Sequence, residues 1–368
     1  MTPEEIELLS ELTIVMPTYN RPLRLEQAIE YWRDLPVTVH ILDGSLKPHF
    51  GEGQLPNVSS IYYHNMPALP LESSPQNVYR RLIFSASLPQ TKYSAVGCDD
   101  DFYTVSGLIE SIKYLERHIY FDAVSGSEFH YRRKGKNLVW NFHRGARKNA
   151  TELETSSIEE KIRIRSSWYL YAVCRTPLWR NYLQISFEKR GFSHPHYLGH
   201  EWIMHYLAKA MFKTKRLDLI ALVRQHLIPG ANIEPEISFT EWIVDSNNNQ
   251  LVDEIVEQLT KGFNFVTPPA DSAKNLVLAR SLMSKEQERS SIDERRSKNF
   301  DQKVRSITSK LLFKIIPNLK VFSDRPHQLK DSWEMLDATG LSYDRRELQD
   351  INDLLLKPRE ELRLRANI

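Results

Sequence analysis

Cysteine is scarce in this chain: Cys98 and Cys174 are the only two among 368 residues, far apart and without metal-ligand spacing. That excludes a disulfide framework or a zinc knuckle and makes a reducing compartment the expectation. Long apolar runs are missing as well. Nothing reaches the roughly 18–20 residues that a membrane-crossing helix needs, and Met1–Glu11 is acidic, without the apolar centre of a signal peptide. Neither sign of charge dominates, with 49 Lys and Arg against 47 Asp and Glu, so no general case for nucleic-acid binding arises. Glycine stops at 13 residues and no repeat of fixed period is visible, which excludes collagen-like and solenoid designs. What is present, 41% hydrophobic and 26% charged residues, describes a folded chain, and its length suits one large domain with a smaller unit, or two middling domains.

The first half reads as strands alternating with helices. Leu12–Met16 is an apolar run suited to a strand buried on both faces. Pro22 suits a first helical turn, and Leu25, Ala28, Ile29 and Trp32 then share one helical face. Val37–Asp43 and Ser60–His64 read as strands, and Ser74-Pro75 opens a helix through Gln76–Ser87. Tyr93–Gly97 is a further strand, followed by a helix over Thr104–His118 and a strand over Asp122–Ser125. Such alternation predicts an α/β fold with a mostly parallel sheet covered on both faces, binding ligands at the carboxyl ends of its strands. Phe129–Lys148, with seven Lys and Arg and no acid, reads as a hairpin or long loop. Trp168–Cys174 reads as an apolar strand, and 200–212 as a helix. The division expected is 1–243 for the α/β domain and 244–368 for a helical C-terminal region.

Three strand ends carry chemistry. Asp99-Asp100-Asp101 follows a buried strand directly; in extended chain Asp99 and Asp101 point to one side and Asp100 to the other. Clustered carboxylates need a compensating cation, and hard oxygen ligands suit Mg²⁺ or Mn²⁺; capping of the next helix is the plainer alternative, which one Asp would satisfy. Asp43-Gly44-Ser45 closes an earlier strand, where a carboxylate can accept bonds from a nucleobase or ribose, or simply end the strand in a turn. Pro17-Thr18-Tyr19-Asn20-Arg21 ends the first strand, either as a helix entry or as a loop lying along a nucleotide. Parallel topology brings all three to one rim.

"TIVMPTYNRP", "ILDGS" and "SAVGCDDDF", in this order and spacing, resemble the family-two-type inverting glycosyltransferases of the nucleotide-diphospho-sugar transferase superfamily. The resemblance covers about 12–229 and implies a GT-A type αβα sandwich. It implies that Pro17, Thr18, Tyr19, Arg21, Asp43 and Ser45 touch a nucleotide-diphosphate sugar, UDP- or GDP-linked. Asp99 and Asp100 would join them at the ribose and diphosphate, while Asp99 and Asp101 would hold Mn²⁺ or Mg²⁺. The stretch Gly199-His200-Glu201-Trp202-Ile203-Met204 matches the segment that supplies the catalytic base, so Glu201 is the expected base with His200 in reserve. Glu201 stands where Asp is usual, and Cys98 stands where many relatives begin the acidic cluster.

Asn77 and Arg80 share a helical face and are expected near donor phosphate or ribose, with a solvated surface as the alternative. His226 stands where some relatives place a late metal- or diphosphate-touching histidine. The basic and aromatic 129–148 suits a glycan or lipid-linked acceptor, with a solvated hairpin as the alternative. The basic amphipathic 304–322 either packs as a helix on the α/β domain or makes weak contact with an anionic membrane surface. The reading implied is a metal-dependent inverting transferase of bacterial surface polysaccharide assembly, cytoplasmic and peripheral at the inner membrane face. Two rivals remain at this point. One is a catalytically silent glycan- or nucleotide-binding protein on the same fold. The other is a sugar-nucleotide pyrophosphorylase, against which the lack of glycine in 17–21 argues.

Overall fold

A computed structural model describes residues 1–55, 58, 60–70, 72, 74–134, 137–142, 157–163, 169–187, 197–225, 239–297 and 328–366. Helix α1 (Pro3–Ser10) leads into β1 (Leu12–Thr18), α2 (Pro22–Trp32), β2 (Thr38–Asp43), β3 (Gly53–Gln54), β4 (Ile61–Asn65) and α3 (Ser74–Ser85). Next come β5 (Tyr93–Val96), β6 (Phe102–Tyr103), α4 (Val105–Arg117), β7 (Ala123–Lys134) and β8 (Asn137–Phe142). The chain continues through α5 (Ile158–Arg163), β9 (Val173–Arg175), α6 (Thr176–Phe187), α7 (Tyr197–Met211) and β10 (Thr214–Gln225). The later helices are α8 (Phe239–Val244), α9 (Asn249–Val266), α10 (Ser272–Ser297), α11 (Leu329–Asp337), α12 (Arg345–Leu356) and α13 (Arg359–Ala366).

The strands form one sheet in the order β3-β4-β2-β1-β5-β9-β7-β10-β6, with β8 paired to β7. β4 with β2, β2 with β1, β1 with β5 and β7 with β10 pair in parallel, while β8 runs antiparallel to β7. The three-residue β9 is antiparallel to both β5 and β7, so it reverses direction twice. All the main strands therefore run the same way and end on one rim. The fold is a mixed α/β sandwich with C-terminal helices, as the alternation of elements predicts.

Strand β1 shows why the sheet is covered on both sides. Val15 packs into one core with Leu42 and Val96, beneath α3, α6, α7 and α9. Ile14 and Met16 point the other way, into a core shared with Leu25, Ile29 and Trp32 of α2 and Ile112 of α4. Two-residue alternation thus divides between two apolar layers, at about 1.5–3 kcal/mol per fully buried aliphatic side chain. A third core joins Phe129, Tyr131 and Trp140 to Leu336, Leu348, Ile351 and Leu355 of α11 and α12.

That third core removes Phe129, Tyr131 and Trp140 from any acceptor surface. Residues 129–134 and 137–142 pair as a hairpin, β7 with β8, and those three aromatics are fully buried within it. A basic composition concealed an alternating strand whose apolar side is roofed by distant helices. Arg133 donates to the Leu355 carbonyl and the Trp140 indole to Asn352 Oδ1 (3.2 Å). Trp168–Cys174 is corrected: 169–171 is a 3-10 turn and the strand is only Val173–Arg175. Cys174 is buried as a small apolar group.

The C-terminal segment 328–366 is tied to the first half of the chain. Thr104 caps α4 by accepting from Gly107 N (3.1 Å), and Glu347 of α12 accepts from Val105 N and from Ser106 Oγ (2.7 Å) in the same first turn. The negative carboxylate there complements the positive end of the helix dipole. On the outer sheet, His40 Nδ1 lies 3.0 Å from His64 Nε2, and the ring of His40 stacks on Tyr62 and His64. Burial, then His64, lowers His40 to about 4. No described helix is long and apolar enough to cross a membrane.

Candidate functional site

The rim is built from the ends of β1, β2 and β5. Asn20 adopts a left-handed backbone (φ 51°), which Asn tolerates better than most residues, and its N–H donates to Ser45 Oγ (2.8 Å). That turn aims Arg21 across the rim, where Nη1 donates to Asp99 Oδ1 (3.1 Å) and Asp100 Oδ2 (2.9 Å). The Thr18 hydroxyl donates to the other oxygen of Asp99 (2.6 Å). At the end of β2, Asp43 accepts from Ser45 N (2.8 Å), Ser45 Oγ and the Tyr63 hydroxyl (both 2.5 Å).

One buried cation locks these two strand ends together. Arg81 of α3 is 2% exposed, and its Nη1 donates to the carbonyls of Thr18 (2.5 Å) and Leu42 (2.7 Å). It passes so close to the Asp43-Gly44-Ser45 turn that a Cβ on Gly44 would lie 2.8 Å from Arg81 Cζ and 2.4 Å from Asn77 Oδ1. Glycine is required there for that approach.

The neighbouring Arg80 and Asn77 take other partners. Arg80 pairs with Glu72 (2.9 Å) and donates to the Pro67 carbonyl (2.6 Å), and Asn77 donates to the Met66 carbonyl (3.1 Å). Both thus hold the 66–72 loop. Pro17 lies within β1, and Tyr19 is exposed beside it.

The acidic cluster departs from simple strand alternation. Cys98 and Asp101 pair as an antiparallel bridge, so 98–101 is a tight turn and not extended chain. The turn separates Asp99, which is held by Thr18 and Arg21, from a set in which Cys98, Asp100 and Asp101 each place one ligand atom within 4.8 Å of the others. The turn removes the extended-chain alternation that grouped Asp99 with Asp101, and it gathers Cys98 and Asp100 with Asp101. Two carboxylates and a thiol could hold a divalent cation; the oxygens suit Mn²⁺ or Mg²⁺, and the sulfur suits a softer ion.

Burial, then the charge of Asp100, pushes Asp101 up to about 8, against the pull of Arg224 and the Gln225 N–H. The same two causes raise Asp99 to about 6, opposed by Arg21 and Thr18. These carboxylates lack full compensation from the protein, which is the condition a cation relieves.

Strand β10 reaches the cluster from the far side. Gln225 N donates to Asp101 Oδ1 (3.0 Å), and Arg224 lies 3.5 Å from Asp101 Oδ2 and 3.9 Å from Glu128, which is bonded to His130 (2.9 Å). Arg224 also stacks over Tyr171, whose hydroxyl lies 3.1 Å from Cys98 Sγ. His226 lies outside the described residues, as do 143–148 and 304–322. His200 and Glu201 are the fourth and fifth residues of α7, but their side chains are outside the described set. Helix α7 is fixed at its other end by Lys161 Nζ, which donates to the Ala210 and Phe212 carbonyls (both 3.3 Å).

Beside this cluster lies a cleft of about 360 Å³, lined by Thr18, Asn20, Arg21, Asp43, Ser45 and Lys47, with His49 and Arg359 among its remaining walls.

The chain is similar in structure to S. aureus TarS. Over 78% of this chain and 92% of TarS residues 1–349 in complex with UDP, the two are 12% identical with a TM-score of 0.44. Against the same TarS segment in complex with UDP-GlcNAc, the figures are 78%, 93%, 13% identity and a TM-score of 0.40. So distant a likeness decides nothing about residues or chemistry. No protein-family model and no curated protein matches the sequence.

Sequence reasoning missed Lys47, His49 and Arg359 of the cleft and Arg81, Tyr63, Tyr171 and Arg224 behind it. Only Arg81 left a signal, as one of two adjacent arginines on the helix after Pro75.

Proposed function

We propose that this chain is an inverting glycosyltransferase of the GT-A type, moving a sugar from a nucleotide-diphosphate donor to a hydroxyl of a glycan or lipid-linked acceptor. One observation carries the reading. The ends of β1, β2 and β5 gather Thr18, Arg21, Asp43 and Ser45 around one cleft, beside Asp99, Asp100 and Asp101. Those are the segments on which the sequence resemblance rests.

In this reading Asp43, oriented by Ser45 and Tyr63, meets the nucleoside, and Arg21 supplies fixed positive charge between nucleoside and diphosphate. Cys98, Asp100 and Asp101 would hold Mn²⁺ or Mg²⁺, which when bound offsets negative charge on the departing diphosphate. Glu201, with His200 beside it, takes the proton of the acceptor hydroxyl as that oxygen bonds to the anomeric carbon. The bond from that carbon to the diphosphate oxygen breaks on the opposite face, its electron pair leaves with the nucleoside diphosphate, and the anomeric centre inverts. Arg21, already bonded to Asp99 and Asp100, needs no reorganisation as this charge develops. The place of action is the cytoplasmic side of a membrane where surface glycans are built.

The test is calorimetry with UDP and with GDP, each with and without Mn²⁺, followed by an assay of nucleotide release from a donor panel. Binding of one nucleotide, strengthened by metal, and release of that nucleotide on transfer are expected. Binding without turnover on any donor would favour the silent-protein reading, and no nucleotide binding would end the transferase reading and leave a glycan-binding protein.

A further inference from the structure

The cleft has a wall from an unexpected part of the chain. Helix α13 packs on α2, and Arg359 at its start lines the cleft opposite Asp43. Its guanidinium is held in both directions by Glu26: Nε donates to Oε2 (2.9 Å) and Nη2 to Oε1 (3.1 Å). Glu26 is 1% exposed and also bonds His49 Nε2 (3.0 Å), so one buried carboxylate fixes two cleft-lining groups. The surrounding chain is anchored as firmly. Gln27 donates to the Leu355 carbonyl (3.2 Å), and Lys357 reaches Glu30 (3.5 Å).

The charge of the cleft follows from this arrangement. Arg21, Lys47 and Arg359 line it with one acid, Asp43, whose oxygens both accept hydrogen bonds; the carboxylates paired with Arg21 and Arg359, which are Asp99, Asp100 and Glu26, stand outside the lining. A guanidinium bound on one edge to a carboxylate keeps donors on its other edge, and the Arg359 side chain is 36% exposed. Such a wall attracts an anion.

We infer that Arg359 is a ligand-binding residue of this cleft, gripping an anionic oxygen of a bound nucleoside diphosphate, and that Glu26 is its positioning residue. This rests on the nucleotide reading above and adds to it that 357–366 completes the site. Glu26 does not line the cleft and acts through Arg359 and His49.

Calorimetry on the full chain with UDP and GDP tests this, comparing the parent with Arg359→Ala, Arg359→Lys and Glu26→Gln. Arg359→Ala should weaken the nucleotide that binds by about tenfold. Arg359→Lys should recover part of that loss, and Glu26→Gln should weaken binding in the same direction without touching the ligand. Because these changes also loosen α13, hydrogen exchange on the unaltered chain provides a second measurement: nucleotide should slow exchange of amides in 359–366. Parent-like affinity in Arg359→Ala, or no exchange protection on nucleotide binding, overturns the inference and leaves the nucleotide reading standing. A parent chain that binds neither nucleotide overturns both.

Discussion

Replacing Arg81 by Met tests the link between a buried cation and the shape of the rim. Met keeps most of the side-chain length and loses the donors. A long bond from Nε to the Asn77 carbonyl (3.4 Å) and two short charge-assisted bonds disappear, the short ones at 2.5 Å to the Thr18 carbonyl and 2.7 Å to the Leu42 carbonyl. Each short one is worth about 1.5–3 kcal/mol. Removing a charge from the interior returns part of that, since burying an ion is costly. The net expectation is a loss of about 3 kcal/mol, or roughly 6–10 °C in melting temperature for a domain of this size. The carbonyls left behind belong to the residues flanking the cleft, so nucleotide affinity should fall together with stability. Arg81→Lys, with one donor group that reaches less far, should fall between. Thermal melts followed by circular dichroism, alongside nucleotide titrations, give both numbers. A melting temperature within about 1 °C of the parent would refute the clamp, because the Thr18 and Leu42 carbonyls would then have lost their cation at no cost.

Glu201→Gln preserves shape but cannot take a proton, so donor affinity should persist while transfer falls by about 10²-fold or more; unchanged turnover would move the base elsewhere. A thiol in the acidic set makes Co²⁺ and Zn²⁺ bind at least about tenfold tighter than Mg²⁺, with a thiolate-to-cobalt absorption band that Cys98→Ser removes. Cobalt binding without that band would exclude Cys98 as a ligand. His40 is held near 4 in the fold against about 6.5 unfolded, so the unfolded chain binds more protons between those values and stability rises with pH there. Allowing for solvent screening, the effect is about 1–2 kcal/mol, and urea melts should show a smaller loss from pH 7 to 5 in His40→Phe than in the parent.

What the sequence made legible was local. The i, i+3, i+4, i+7 face of Leu25, Ala28, Ile29 and Trp32 is buried as its spacing predicts. The strand ends at Thr18, Asp43 and Asp99 converge because parallel topology follows from alternating elements. The failures were of two physical kinds. A turn at 98–101 replaced extended chain, so the alternation that grouped Asp99 with Asp101 did not apply. Contacts across hundreds of residues leave no periodic trace, which hid Glu26 with Arg359 and buried Tyr131 and Trp140 beneath α12. Arg80 and Arg81 show the same limit: adjacent and chemically identical, one ties down a loop while the other crosses the interior.

The roof over β7 and β8 has a consequence during synthesis. Phe129, Tyr131 and Trp140 leave the ribosome long before Leu348, Ile351 and Leu355, which cover them. At about 5–20 residues per second, translation needs roughly 10–45 s to make the intervening chain. Through that interval a nascent chain displays an aromatic face with no native cover, the kind of surface chaperones bind and other nascent chains stick to. A chain cut short before residue 345 would display it permanently. The helices that place Arg359 in the cleft thereby also set when the molecule becomes safe to release.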